Sequence, residues 1–249
     1  MPKILRLMSS KGYRFWPFLL FSAMLLLLWL ASWFAGVAAL FSSSGEGFNS
    51  LFSGEGMRWA LCTAEASVDG APWGALAMVV ASVGLLVSSG MLTTLVGLFG
   101  RLPLTAVRRQ AGLSALVVFV LFVALLFVSS VAPWNIFASV TGDWASSSLA
   151  QGWLLVLLVV SLSASLMHGS LCGNYRTVGD VARGVSGVFA LFAPAFLAVL
   201  PASGIVPCMQ YIGVLTASEP VAALLSDFLC WLPFLFVACV EGLSALKRL

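Results

Sequence analysis

The chain has 249 residues, of which 61% are hydrophobic and 8% are charged, and its mean hydropathy is +1.08. A soluble domain carries about 25% charged residues, so this composition excludes a soluble fold. The net charge of +3 does not indicate nucleic-acid binding, because the basic residues stand at the ends of apolar segments and form no continuous patch. The sequence therefore predicts an all-α integral membrane protein whose main partner is the lipid bilayer.

Six apolar segments are suited to cross the hydrocarbon core of a bilayer as helices, which takes roughly 20 residues each. They are continuously apolar instead of alternating, which favours helices over the strands of a closed barrel. The first segment exceeds the roughly 7–15 apolar residues of a signal peptide, so we expect an uncleaved span. The prediction is one transmembrane domain over residues 1–249, with an outer loop over 42–72 and spans at 15–41, 73–99, 113–132, 152–168, 184–201 and 221–243.

The basic residues predict the orientation of these spans. With six spans, eleven of the twelve Lys and Arg residues fall on one side, and only Arg58 falls on the other. Cytoplasmic loops of membrane proteins are enriched in Lys and Arg. We therefore expect a multi-pass protein with both termini in the cytoplasm.

The outer loop and the cysteines give only weak indications of a calcium site or a disulfide. The loop repeats Ser-Gly-Glu-Gly at 44–47 and 53–56 and is compatible with a short surface helix over Glu55–Glu65. Its carboxylates fit no loop with defined calcium ligands, so a solvated loop is expected. Cys62 and Cys208 share the predicted outer face, which leaves open either a disulfide or two free thiols.

Three ionisable residues are candidates for a polar intramembrane or transport role. His168, the only histidine, ends the fourth span; it could be an interfacial group, a partner of the helix dipole, or a proton relay. Asp227 and Glu241 lie in the sixth span, where a charge is costly and indicates function by default, although both are near enough to its ends to reach the interface. No HExxH, GxSxG, paired intramembrane aspartates or metal-ligand cluster is present, so we expect no enzyme activity, no catalytic residues, no cofactor and no metal site.

Proline and small residues indicate where helices bend or meet. Pro194, Pro201 and Pro207 lie close together and are expected to break or bend a helix. Residues 201–219 could therefore form a discontinuous, re-entrant segment like those at transporter substrate sites, or a simple outer connection. The second span is rich in small residues, which predicts that it packs against protein; these are Ser82, Gly84, Ser88, Ser89 and Gly90.

Several short stretches together resemble the p-aminobenzoyl-glutamate transporter (AbgT) family. They are Trp16–Phe21, Gly54-Glu55-Gly56-Met57-Arg58-Trp59, Ala71-Pro72-Trp73-Gly74, Ser89-Gly90-Met91-Leu92, Val160-Ser161-Leu162 within 104–169, and Thr177–Gly204. The resemblance implies a transporter of a small organic anion such as p-aminobenzoyl-glutamate, coupled to a cation. It also implies a homodimer and a location in the bacterial cytoplasmic (inner) membrane.

The chain departs from the family pattern in length and in its polar core. Family members are about twice as long and carry two re-entrant hairpins with Ser-Asp and Asn-containing broken helices, which have no counterpart here. Val87 and Ser88 stand where an acidic residue is expected. No substrate-binding residue of the family can therefore be transferred, and the alternative is a non-transporting membrane scaffold or partner subunit that keeps the family's scaffold helices.

Overall fold

A computed structural model describes residues 14–39, 49–100, 105–130 and 147–246. Regular secondary structure in these ranges is helical. The helices are α1 Trp16–Ala39, α2 Gly54–Asp69, α3 Trp73–Ser88, α4 Met91–Gly100, α5 Ala106–Ser130, α6 Ser148–Gln151, α7 Trp153–Leu171, α8 Val178–Ile212 and α9 Glu219–Leu246. The expectation of an all-helical protein is confirmed for this part of the chain.

Six helical segments are long and apolar enough to cross a membrane. They are Trp16–Phe34, Gly54–Ser88 (α2 with α3), Ala106–Ser130, Trp153–Leu171, Val178–Ile212 and Glu219–Gly242. Each overlaps one predicted span, so the six-span pattern of a multi-pass membrane protein is confirmed by length and composition. Parts of the basic pattern and of the outer loop, including Lys3, Lys247, Arg101 and residues 42–48, lie outside the described residues.

Two predicted segments differ from the structure. The second span is not continuous over 73–99, because a turn at Ser89–Gly90 separates α3 from α4. Residues 201–212 are not discontinuous, because α8 continues through Pro194, Pro201 and Pro207 to Ile212. Residues 213–218 connect α8 to α9, and their place on the outer side stays a prediction. A helix is present over Glu55–Glu65 as the longer α2, and its position on the membrane surface stays a prediction. The first turn of α2 is capped by the Ser53 hydroxyl, which accepts a hydrogen bond from the backbone N–H of Gly56.

The chain divides into two compact units. The terminal unit comprises Met1–Pro72 and Phe192–Leu249, and the central unit comprises Trp73–Leu191. Each unit has its own core and is described by itself. The single domain expected over 1–249 stays a prediction.

The terminal unit is held together where the start of the described loop meets the end of α8. The backbone N–H of Asn49 donates to the carbonyl of Ile212 (3.3 Å), and the Asn49 side-chain amide donates to the carbonyl of Tyr211 (3.0 Å). Leu51 inserts beside Cys208 and Ile212, and its N–H donates to the hydroxyl of Ser32 in α1 (2.6 Å). The last carbonyls of α8, which have no partner within a helix, thus bond to a neighbouring segment.

The central unit packs through small residues. In α5, Gly112 faces the Thr94 methyl group of α4, and an added Cβ would lie 2.7 Å from it. Ala115 of α5 and Ala164 of α7 share a core with Met91. Beyond these contacts α5 is exposed and apolar, with Leu125 67% exposed. A helix that packs through small residues on one face and exposes branched apolar side chains on the other fits a lipid-facing position.

The close contact between α3 and the start of α8 gives a test of this helix arrangement. An added Cβ on Gly184 would lie 2.5 Å from the Cβ of Ser88, whereas one on Gly187 would meet nothing within 4 Å. Because overpacking costs about 1–3 kcal/mol, we expect Gly184→Ala to lower the free energy of unfolding by that amount. Gly187→Ala, the matched control, should leave it unchanged or raise it by up to roughly 1 kcal/mol. Denaturant unfolding in detergent, followed by circular dichroism, measures both; equal losses would contradict the contact.

Candidate functional site at the break between two helices

The turn at Ser89–Gly90 interrupts an apolar segment of the central unit. Gly90 adopts a φ of +77°, a conformation that glycine reaches without steric cost. The carbonyl of Ser89, at the turn, points to partners outside its own segment. In hydrocarbon such a carbonyl costs several kcal/mol unless another protein group bonds to it, so the turn requires donors from elsewhere in the fold.

His168 supplies one of these donors. It is 1% exposed and lies in the last turn of α7. Its Nδ1 is 3.0 Å from the Ser89 carbonyl oxygen, and its Nε2 is 2.9 Å from the hydroxyl oxygen of Thr94 in α4. A carbonyl only accepts, so Nδ1 carries the proton and donates, and in the neutral ring Nε2 is an acceptor. The Thr94 hydroxyl has one proton to donate, either to Nε2 or to the Gly90 carbonyl oxygen at 3.1 Å. The ring is buried within the protein against the helix break, and its role as an interfacial group, a partner of the helix dipole or a proton relay stays a prediction.

Asn174 supplies the second donor. The side-chain amide of Asn174 donates to the same Ser89 carbonyl at 2.7 Å. The chain reaches this position through a turn after α7 in which Gly173 has a φ of +75°. In that turn the backbone N–H groups of Asn174 and Tyr175 both donate to the carbonyl of Gly169, at 2.8 and 3.0 Å. This is the form of helix ending that glycine favours.

Tyr175 secures the end of α3 just before the break. Its hydroxyl donates to the carbonyl of Leu85 at 3.2 Å and is hydrogen bonded to the hydroxyl of Ser88. The Tyr175 ring lies against Gly169, where a Cβ would overlap it. The turn after α7 therefore holds α3 and the break through backbone carbonyls.

A polar face of α7 continues from this cluster. Ser161, Ser165, His168 and Cys172 are spaced four, three and four residues apart, which places them on one side of the helix. Within the described residues, Ser165 is buried and its hydroxyl oxygen has no hydrogen-bond partner. The Cys172 sulfur is 3.7 Å from His168 Nε2. Burial raises the pKa of the Cys172 thiol, and the positive charge of Arg108 opposes this rise.

The other two predicted site residues lie in the terminal unit. Glu241 accepts hydrogen bonds from Arg14 Nε and Nη2 at 3.0 and 2.7 Å, so the Arg14 guanidinium balances its charge. Asp227 is half-buried in the same helix, α9. The two carboxylates are separated by fourteen residues, or about 21 Å along a helix. The structure does not bring them into one site.

The donor set of the described residues favours hydrogen bonding over metal binding. No group of three His, Cys, Asp or Glu residues in these ranges is placed to hold a metal ion. All five cysteines are free thiols, so Cys62, which is exposed, and Cys208, which is buried, form no disulfide. An imidazolium at His168 would donate from both ring nitrogens, to Ser89 and Thr94. The cluster can therefore accept one proton while both ring nitrogens stay bonded.

Sequence reasoning missed four members of this cluster. The sequence places Ser89 among the small packing residues and gives no reason to single out Thr94, Asn174 or Tyr175. The usable indication was the Ser88-Ser89-Gly90 triplet inside an apolar segment, since serine and glycine pairs are common at helix kinks. Comparison of the chain with protein-family models, curated proteins and solved structures finds no match, and the AbgT resemblance stays a prediction.

The single histidine makes the hydrogen-bonding scheme measurable. Histidine labelled with ¹⁵N should give one pair of ring signals, with Nδ1 protonated and Nε2 unprotonated at neutral pH. Thr94→Val should shift the Nε2 signal and lower the free energy of unfolding by about 1–3 kcal/mol, because it leaves a buried acceptor unpaired. Thr93 is the matched control: its hydroxyl donates to the Gly90 carbonyl at 2.8 Å but makes no bond to His168. An Nε2–H tautomer, or equal effects of Thr93→Val and Thr94→Val, would contradict the scheme.

The thiol of Cys172 gives a pH-dependent test of the burial of this site. Because its pKa is raised by burial, the reactive thiolate forms at higher pH than in a free thiol. In a variant whose other four cysteines are alanine, the pH midpoint of the alkylation rate should lie above that of a cysteine in a short, capped, uncharged peptide. Arg108→Gln should raise the midpoint further, because Arg108 favours the thiolate. A midpoint at or below the reference would show that Cys172 is not desolvated.

Proposed function

We propose that this chain is an AbgT-like transport protein that moves a small organic anion, such as p-aminobenzoyl-glutamate, across the bacterial cytoplasmic membrane using a cation gradient. The observation that carries the proposal is the break between α3 and α4, where the buried His168 bonds to the Ser89 backbone carbonyl, which has no partner within its own helix. Secondary transporters build their substrate and ion sites at such discontinuous helices, with the ends of half-helices facing the ligands. Both termini in the cytoplasm and a homodimer belong to the same proposal.

Two further features support it. Ser89-Gly90-Met91-Leu92, one of the stretches that resemble the family, coincides with the break. The positive end of the helix dipole of α4 lies at the same turn, and such ends favour negatively charged groups. A proton taken up by His168 would add positive charge there, so we propose the proton as a coupling cation.

The alternative is a non-transporting scaffold or partner subunit. This alternative is favoured because the polar groups at the break already bond to other parts of the protein. The Asn174 amide and both ring nitrogens of His168 bond to the helix ends. Such hydrogen bonds would stabilise a protein whose turn keeps one conformation as well as one whose turn changes conformation. The two hypotheses differ in whether the turn must change conformation.

Transport in reconstituted vesicles tests the proposal. We expect uptake of labelled p-aminobenzoyl-glutamate driven by an imposed proton gradient. Gly90→Ala should abolish it, because alanine is strained at a φ of +77° and its Cβ would lie 3.1 Å from the Asn174 amide nitrogen. Gly173→Ala, the matched control, has a φ of +75° but no neighbour within 4 Å, so transport should persist. Folded wild-type protein that moves no anion would contradict the transport function.

Native mass spectrometry distinguishes the alternative. The transport proposal predicts a homodimer that retains a small organic anion in mild detergent. The scaffold hypothesis predicts a dimer without bound anion, or a complex with another membrane protein. A monodisperse monomer would contradict the homodimer.

A further inference from the structure

A cleft in the terminal unit carries an unassigned set of polar and aromatic groups. It has a volume of about 460 Å³ and lies between α2, the end of α8 and the first residue of α9. Its walls include Trp59, Thr63, Ser67, Gln210, Tyr211 and Glu219. It belongs to a different unit from the His168 cluster.

Two aromatic rings form one side of this cleft. Trp59 of α2 and Tyr211 of α8 stack with their centroids 4.3 Å apart and their planes at 23°. Both side chains are half-buried. The face of such a ring attracts a cation within about 6 Å, with tryptophan the strongest.

The polar groups beside the rings are open to a ligand. In the part of the chain that the structure describes, the Gln210 side-chain amide makes no hydrogen bond and the Glu219 carboxylate pairs with no cation. A carboxylate accepts hydrogen bonds and carries negative charge, and an amide oxygen also accepts. An ammonium group, which only donates, is the complementary partner.

The surrounding charge and the adjoining space specify this ligand further. α2 and the first turn of α9 carry four acidic side chains against one basic side chain, Arg58; the acidic ones are Glu55, Glu65, Asp69 and Glu219. A field of one sign raises the local concentration of the opposite ion. An apolar cavity of about 170 Å³ shares Trp59, Thr63, Ser67 and Pro207 with the cleft and is also lined by Leu25 and Leu200.

We propose that this cleft binds an organic ammonium ion that carries an apolar group. The ammonium is held by the Glu219 carboxylate and the Gln210 amide oxygen beside Trp59 and Tyr211. The apolar group occupies the adjoining cavity. This site takes a cation, so it is separate from the anion transport proposed above and does not rest on it.

Isothermal titration of the full-length protein in a maltoside detergent tests the charge preference. The probes are phenethylammonium and 3-phenylpropanoate, which share an aromatic body and have opposite charge. We expect saturable binding of phenethylammonium and at least about tenfold weaker binding of 3-phenylpropanoate, since a charge-assisted hydrogen bond contributes that factor or more. Equal affinity for the two probes, or binding of neither, overturns the proposal.

The assignment of the cation to Glu219 has a matched control on the same surface. Glu219→Gln should weaken phenethylammonium binding about tenfold and leave 3-phenylpropanoate binding unchanged or slightly stronger. Glu65 lies on α2 but does not line the cleft, so Glu65→Gln should change binding less than about twofold. Because Glu219 is exposed at a helix start, its variant should fold, and circular dichroism confirms this. An unchanged affinity in Glu219→Gln overturns the assignment.

The ammonium group could come from a free amine or from a lipid headgroup. Titrations in nanodiscs of phosphatidylglycerol, with and without added phosphatidylethanolamine, distinguish the two sources. Loss of phenethylammonium binding on adding phosphatidylethanolamine identifies the lipid headgroup as the occupant. Retained binding identifies a free amine.

Discussion

The central unit depends on one requirement: the backbone carbonyl of Ser89 must receive hydrogen bonds from outside its own helix. The turn at Gly90 removes this carbonyl from the regular bonding of its helix, and a bilayer offers no water to replace the lost partner. His168 and Asn174 both donate to it. Because these donors come from the end of α7 and the turn after it, the helix break and the ending of a distant helix must form together.

Hydropathy was sufficient to predict the spans but not this break. A continuous apolar run identifies a membrane helix because its backbone bonds are internal, and all six runs were found. Ser89–Gly90 fits a packing face as well as an interruption, so local sequence does not separate the two. The deciding partner, His168, lies 79 residues away in the chain, and only the folded structure shows that pairing.

The prolines of α8 illustrate the opposite error. Pro194, Pro201 and Pro207 predict a broken or bent segment, and the helix is continuous through all three, which contradicts the break but leaves the bend a prediction. Proline removes one backbone donor and crowds the preceding turn, which is severe in water. In a membrane protein, neighbouring helices and local adjustments of the backbone satisfy the freed carbonyls. Proline density is therefore a weaker indicator of discontinuity in this chain than a serine-glycine pair.

The bonding partners seen in the structure change how the ionisable residues predicted from sequence are interpreted. Glu241 is balanced by Arg14, so its charge is explained by an ion pair. His168 is bonded through neutral groups, and the side chains that complete its site, Thr94 and Asn174, carry no charge. A search restricted to charged residues in apolar segments finds one member of this cluster and misses the rest. In the central unit, hydrogen-bonding side chains gather where a helix is interrupted. The backbone groups left unpaired there require neutral donors and acceptors, just as a buried charge requires an opposite charge.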